Sequence, residues 1–309
     1  MKWNDRIGRR LKLHDLHILL TVADLGSMSK AAEQLAISQP SVSKAIADIE
    51  RTVGVRLLDR TSKGVECTAY GRALLRRGNG AFDELRQGVK EIESLLEPGS
   101  GEVRVGCPEA ISAGLMAAAI DRFSGKYPNT TVTVVAADNM APGFTPLRTR
   151  QVDFLVGHTP SSLQGDDVEA RFLYSDRMRV AVSSQNPLLR RREIELASLI
   201  EMQWVWAPSM FDWRLAEAFQ AMGLAAPKYG VRTYSVHQQL RLIARSNFIG
   251  ALAGSVLRFN QRQTAVKVLP VEFSTRPWPV GIVTLKDRTM SPVAENFMSC
   301  IRKLAEGMT

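Results

Sequence analysis

The chain has 309 residues, 45% of them hydrophobic, and 40 Lys and Arg against 31 Asp and Glu give it a formal net charge of +9. That length allows two or three domains with real cores, and the basic balance favours an anionic partner, nucleic acid first. Its three cysteines, Cys67, Cys107 and Cys300, lie far apart without a C-x-x-C, which argues for a reducing compartment and against a disulfide framework or zinc ribbon. No apolar run reaches the roughly 18–20 residues of a membrane span. "MKWNDRIGRR" (residues 1–10) lacks the apolar core of a secretory signal and reads as a basic N-terminal tail. A cytoplasmic protein with no membrane contact is expected.

Residues 11–69 read as mainly helical. "LKLHDLHILLTVADLG" puts Leu13, Leu16, Leu20 and Ala23 on one face and stops at Gly26. "SMSKAAEQLA" follows, with Ser27 or Ser29 as N-cap and Ala31, Ala32 and Leu35 inward. In "SQPSVSKAIADIE", Ser38 is a good N-cap and Pro40 sits in the first turn, where its missing N–H costs nothing. Val42, Ile46 and Ile49 form an apolar stripe there, opposite a flat face of Ser43, Lys44, Ala47 and Arg51. "VRLLDRTSKGVECTAYG" reads as two short strands around a basic turn.

The next helix, residues 70–97, has Leu75, Phe82, Val89 and Leu96 seven apart, with Leu85 and Ile92 at the alternate seam positions. This a/d pattern predicts a dimer coiled coil, weakened at Gly78, Gly80 and Gly88 by about 1 kcal/mol each relative to Ala. Residues 98–101 read as a hinge. From 102 to 309 the texture is α/β. "EVRVGC", "TVTVVAAD", "DFLVGH", "RMRVAVSS", "QWVWAP", "VKVLPVEF" and "VGIVTLK" read as strands, with helical stretches between them. That alternation predicts largely parallel sheet, and the length suggests two subdomains.

Two short helices joined by a tight turn make a helix-turn-helix, and its physics explains these residue types. Ala31 and Ala32 let the first helix cross closely over the second. The outer face of the second then fits the major groove, where long acidic chains would be repelled by phosphate. Gln39, Ser41 and Ser43 can reach base edges or phosphates, and Lys44 and Arg51 supply cations. Arg60 and Lys63 make the turn between the strands a basic wing.

"SMSKAAEQLAISQPSVSKAIADIERTVGVRLLDRTSKGVECTAYG" resembles the N-terminal pattern of the LysR-type transcriptional regulators almost throughout. "GEVRVGCPEAISAGLMAAAIDRFSGKYPNTTVTVV", "QVDFLVG" and "LIARSNFIGALAGSVL" continue the likeness more loosely. The resemblance implies a winged helix-turn-helix, a long dimerising linker helix, and a two-subdomain domain like a periplasmic binding protein. It implies double-stranded DNA as partner, bound at an interrupted inverted repeat near a promoter. It also implies a homodimer that pairs into a homotetramer, RNA polymerase as a further partner, and a small-molecule effector in the C-terminal cleft. DNA contact then falls on Ser27, Met28, Ser29, Lys30 and Ala31, and on Gln39, Pro40, Ser41, Ser43 and Lys44, with Arg51, Arg60 and Lys63. Leu58 stands where the family commonly has Phe and Cys67 where it has Leu, apolar swaps that adjust packing.

The effector loops carried over by the resemblance are Pro108, Glu109, Ala110 and Ile111, then Asn139, His158, Trp206, Thr233 and Ser235. Many relatives start the first loop with Ser or Thr, which suits a carboxylate. Glu109 here would repel an anion, so a sugar or other neutral metabolite is expected. An aromatic or other carboxylate, or cysteine redox state, is the alternative signal. An enzyme is not expected, since the chain has no G-x-G-x-x-G, Walker A or G-x-S-x-G motif. No cofactor or metal is expected either, because His14 and His17 lack a third ligand nearby in sequence.

Overall fold

The computed structural model describes residues 10–308 apart from 62–63, 98, 138–143, 160–165, 209, 228–229, 262, 272 and 274, with residues 60, 210 and 211 described by backbone alone. The chain divides into two compact units, Met1–Gly88 and Val89–Thr309.

In the first unit, α1 (Leu13–Leu25), α2 (Met28–Gln34) and α3 (Gln39–Val53) pack around one core. Leu16, Ile18, Leu19 and Val22 of α1 meet Ala31 and Ala32 of α2 and Val42, Ile46 and Ile49 of α3. Leu13, expected on this inner face, is exposed, because it starts α1 a turn before the core begins. Ser27 rather than Ser29 caps α2, accepting the N–H of Lys30 at 3.3 Å. Ser38 caps α3 through the N–H of Ser41, also at 3.3 Å.

The strands β1 (Leu58–Thr61) and β2 (Gly64–Cys67) pair antiparallel, Leu58 opposite Cys67. Glu50 of α3 fixes where this hairpin starts, its Oε1 accepting the N–H of Leu57 at 2.7 Å and of Leu58 at 3.2 Å. Gly64 has φ +132°, and a Cβ there would lie 2.5 Å from the Gly26 carbonyl oxygen, so the hairpin requires glycine at this close approach. Leu58 is buried and Cys67 half-buried against the same core.

Helix α4 (Ala69–Leu96) has 28 residues and is about 42 Å long. The expected seam divides along it. Leu75 and Phe82 pack on the core of the first unit, the Phe82 ring 5.7 Å from that of His17. Leu85, Val89, Ile92 and Leu96 are exposed.

The second unit holds two five-stranded sheets. Sheet one is ordered β4 (Thr130–Ala136), β3 (Gly101–Cys107), β5 (Phe154–His158), β12 (Trp278–Leu285), β6 (Val168–Asp176). Sheet two is ordered β11 (Val266–Val268), β7 (Met178–Ser183), β10 (Ile249–Ala253), β8 (Trp204–Trp206), β9 (Gly230–Arg232). Largely parallel sheet was expected; in each sheet two pairings are parallel and two antiparallel. The chain leaves sheet one at Asp176, enters sheet two at Met178 and returns in β12, and the strands at these crossings run against their neighbours.

The helices of this unit are α5 (Glu109–Ile111), α6 (Ala117–Lys126), α7 (Thr145–Arg148), α8 (Met210–Ala221), α9 (Val236–Arg245), α10 (Gly254–Asn260) and α11 (Pro292–Ala305). A π-helical turn, Ser112–Met116, joins α5 to α6. Arg288 is buried against Asp153, its Nη2 2.8 Å from Oδ1, and Lys90 of α4 lies 4.0 Å from the other carboxylate oxygen. Among the described residues no helix is long and apolar enough to cross a membrane.

Candidate functional site

Two regions among the described residues bear on the expected sites. The first is the outer face of α3. Gln39, Pro40, Ser41, Lys44 and Ala47 are exposed, and Ser43 is half-buried beside them. The Ser41 hydroxyl lies 2.8 Å from that of Ser38, so the cap also positions this serine. Arg51 pairs with Asp48 one turn earlier on the same helix. On α2, Ser29 and Lys30 are exposed and Ser27 and Met28 half-buried. Ala31 is fully buried, where its small side chain lets α2 approach α3. The side chain of Arg60, and Lys63, lie outside the described residues.

The second region is a cavity of about 90 Å³ to which both sheets of the second unit contribute. From sheet one come the loop Pro108 to Ile111, His158 and Asp176 at the ends of β5 and β6, and Trp278 and Val280 of β12. From sheet two come Ala207, Pro208, Tyr234, Val236, Gln239, the end of β10, Ser255 and Val256. Two carboxylates, Glu109 and Asp176, stand on this lining, and no Lys or Arg does among the described residues. Asp176 is buried, and burial raises its pKa although Ser255 and backbone N–H groups bond it. His158 is half-buried, and burial, then the charge of Arg214, hold its pKa below the usual imidazole value. Arg214 is itself buried, its guanidinium 4.5 Å from the Trp278 ring centroid and 4.6 Å from that of Trp213.

The description "LysR substrate binding domain" matches residues 97–306, and "Bacterial regulatory helix-turn-helix protein, lysR family" matches residues 13–72. The chain belongs to the LysR family. It is a DNA-binding transcriptional regulator with an effector-binding domain. Among its LysR relatives, the HTH-type transcriptional regulator GbpR of Azospirillum brasilense is 26% identical over 304 residues, 96% of this chain and 87% of that one. The HTH-type transcriptional regulator PcaQ of Agrobacterium fabrum is 27% identical over 308 residues, 97% and 96% of the two chains. A full-length OxyR variant from Pseudomonas aeruginosa shares the fold with a TM-score of 0.63 at 17% identity, over 97% of this chain and 96% of that one. Full-length CbnR complexed with its target DNA matches with a TM-score of 0.52 at 19% identity, over 96% and 100%.

Of the expected effector residues in this LysR chain, Pro108, Glu109, Ala110, Ile111 and His158 come together on the cavity. Trp206, Thr233 and Ser235 do not line it. Trp206 is buried and donates its ring N–H to Asp212 at 2.7 Å. Ser235 caps α9 through the N–H of Gln238 at 3.2 Å, and the Thr233 hydroxyl bonds the Gln238 side chain at 2.7 Å. Asn139 lies outside the described residues. The sequence reading missed Asp176, Gln239, Ser255 and Trp278. The glycine-then-apolar signature "GALAGSVL" contains Ser255 and was the available signal for it. Burial pushes the Cys107 thiol up to about 12 and raises those of Cys67 and Cys300.

Proposed function

We propose that this LysR-type regulator reads an interrupted inverted repeat near a promoter through α3, and that a small, neutral, hydroxylated effector such as a sugar tunes that binding from the cavity. The observation that carries the effector reading is the charge of the lining: two carboxylates, Glu109 and Asp176, and no cation among the described residues. A carboxylate ligand would face repulsion there, whereas hydroxyls would find an acceptor on Glu109 and donors or acceptors on His158 and Gln239. A carboxylate effector is the second reading, favoured by the buried charge of Arg214 on the Trp278 ring.

Gln39, Ser41, Ser43 and Lys44 are the base- and phosphate-facing set in this proposal, with the wing beside them. Exposure of Leu85, Val89, Ile92 and Leu96 on α4 supports a homodimer through that helix, with pairs of dimers forming a tetramer. The working assignment is a winged helix-turn-helix over 11–69, a linker helix over 70–97, a hinge at 98–101 and the effector domain from 102. Contact with RNA polymerase and a place in the cytoplasm belong to the same proposal. Calorimetric titration of the full chain with aldohexoses and with benzoate tests the effector class. Saturable sugar binding weakened at least tenfold in Gln239→Ala supports it, and binding of benzoate alone overturns it.

A further inference from the structure

Asp176 and Ser255 border a second volume as well as the cavity. This groove holds about 490 Å³ and lies along the crossing from β6 to β7, beside α10 and β11. Arg177, Arg179, Arg258 and Lys267 line it; all four are exposed, and none forms an ion pair with a described residue. Among the described residues the one carboxylate on its wall, Asp176, is already engaged. Its Oδ1 accepts the N–H of Arg177 at 2.8 Å and of Ser255 at 3.2 Å, and its Oδ2 accepts the Ser255 hydroxyl at 2.5 Å. Four like charges around one groove repel each other and draw anions into it. The effector cavity, by contrast, has no cation on its described lining.

We infer that this groove is a second small-molecule site, taking a phosphate-bearing metabolite. Leu257, Val268 and Met308 put apolar surface beside the cations, which leaves room for an organic body attached to the phosphate. Arginine forks match phosphate oxygens in pairs, and three of the four cations are arginines. The effector cavity proposed above is not needed for this site, so either can fail alone.

Inorganic pyrophosphate is the probe, titrated calorimetrically into the full chain. One saturable site per chain is expected, weakened at least tenfold in R179Q/R258Q and less than twofold in R190Q/R191Q, which removes two exposed charges elsewhere. Charge-preserving R179K/R258K keeps more of the binding than R179Q/R258Q does, and matching thermal melts show that the variants fold. Lys267→Gln, a second exposed change, also weakens it. Absence of saturable binding, or equal losses in the two glutamine pairs, overturns the inference.

Discussion

Asp176 and His158 face the same cavity and are shifted in opposite senses by the same cause. Burial makes the charged form of each group harder to sustain, so the carboxyl pKa rises and the imidazole pKa falls. The raised Asp176 pKa gives a contribution present at low pH and lost as pH rises through its folded value. For His158 the sign reverses. The folded protein resists protonating this ring, so its contribution is present above its unfolded value of 6.5 and lost as pH falls through its depressed folded one. His158→Gln is therefore predicted to shrink the fall in melting temperature between about pH 7.5 and about pH 5.5. Thermal unfolding at both pH values checks this, and an unchanged fall contradicts it. At this scale the sequence was legible where a residue acts locally. Ser38 caps its helix through a partner three residues on. Asp176 was not legible, since its partner Ser255 lies 79 residues away.

Helix α4 shows what periodicity can and cannot specify at the scale of elements. The seven-residue spacing marks a line of apolar residues, but it does not say what each part of the line meets. Phe82 meets His17 and the core of the first unit, while Ile92, ten residues later, is exposed. Two substitutions separate these roles. Ile92→Asp is predicted to shift the sedimenting species toward monomer with the stability of the first unit unchanged. Phe82→Ala is predicted to lower that stability by about 1–3 kcal/mol in denaturant unfolding and to leave association intact. Loss of association in Phe82→Ala alone contradicts this division. Strand β6 was invisible from sequence because its burial does not alternate: Val168, Leu173, Tyr174 and Asp176 are buried among half-buried and exposed neighbours. Without it the crossing between sheets, and the mixed strand order that follows, could not be inferred.

The whole molecule explains why its two functions differ in legibility. The N-terminal unit is built from consecutive helices and a hairpin, so caps, stripe and turn all sit within one short run of sequence. The cavity instead gathers residues from Pro108 to Val280, and only the assembled sheets bring them together. The net charge of +9 agrees with a nucleic-acid partner without locating the contact. The central claim is that the exposed face of α3 meets the DNA backbone, and the salt dependence of duplex binding tests it most directly. Fluorescence anisotropy of the full chain on duplex DNA across salt concentrations gives the slope of log K against log salt. Lys44→Ala is predicted to weaken binding and to make that slope shallower by about 0.9, the share of one phosphate contact. A slope identical to that of the unaltered chain would contradict the account.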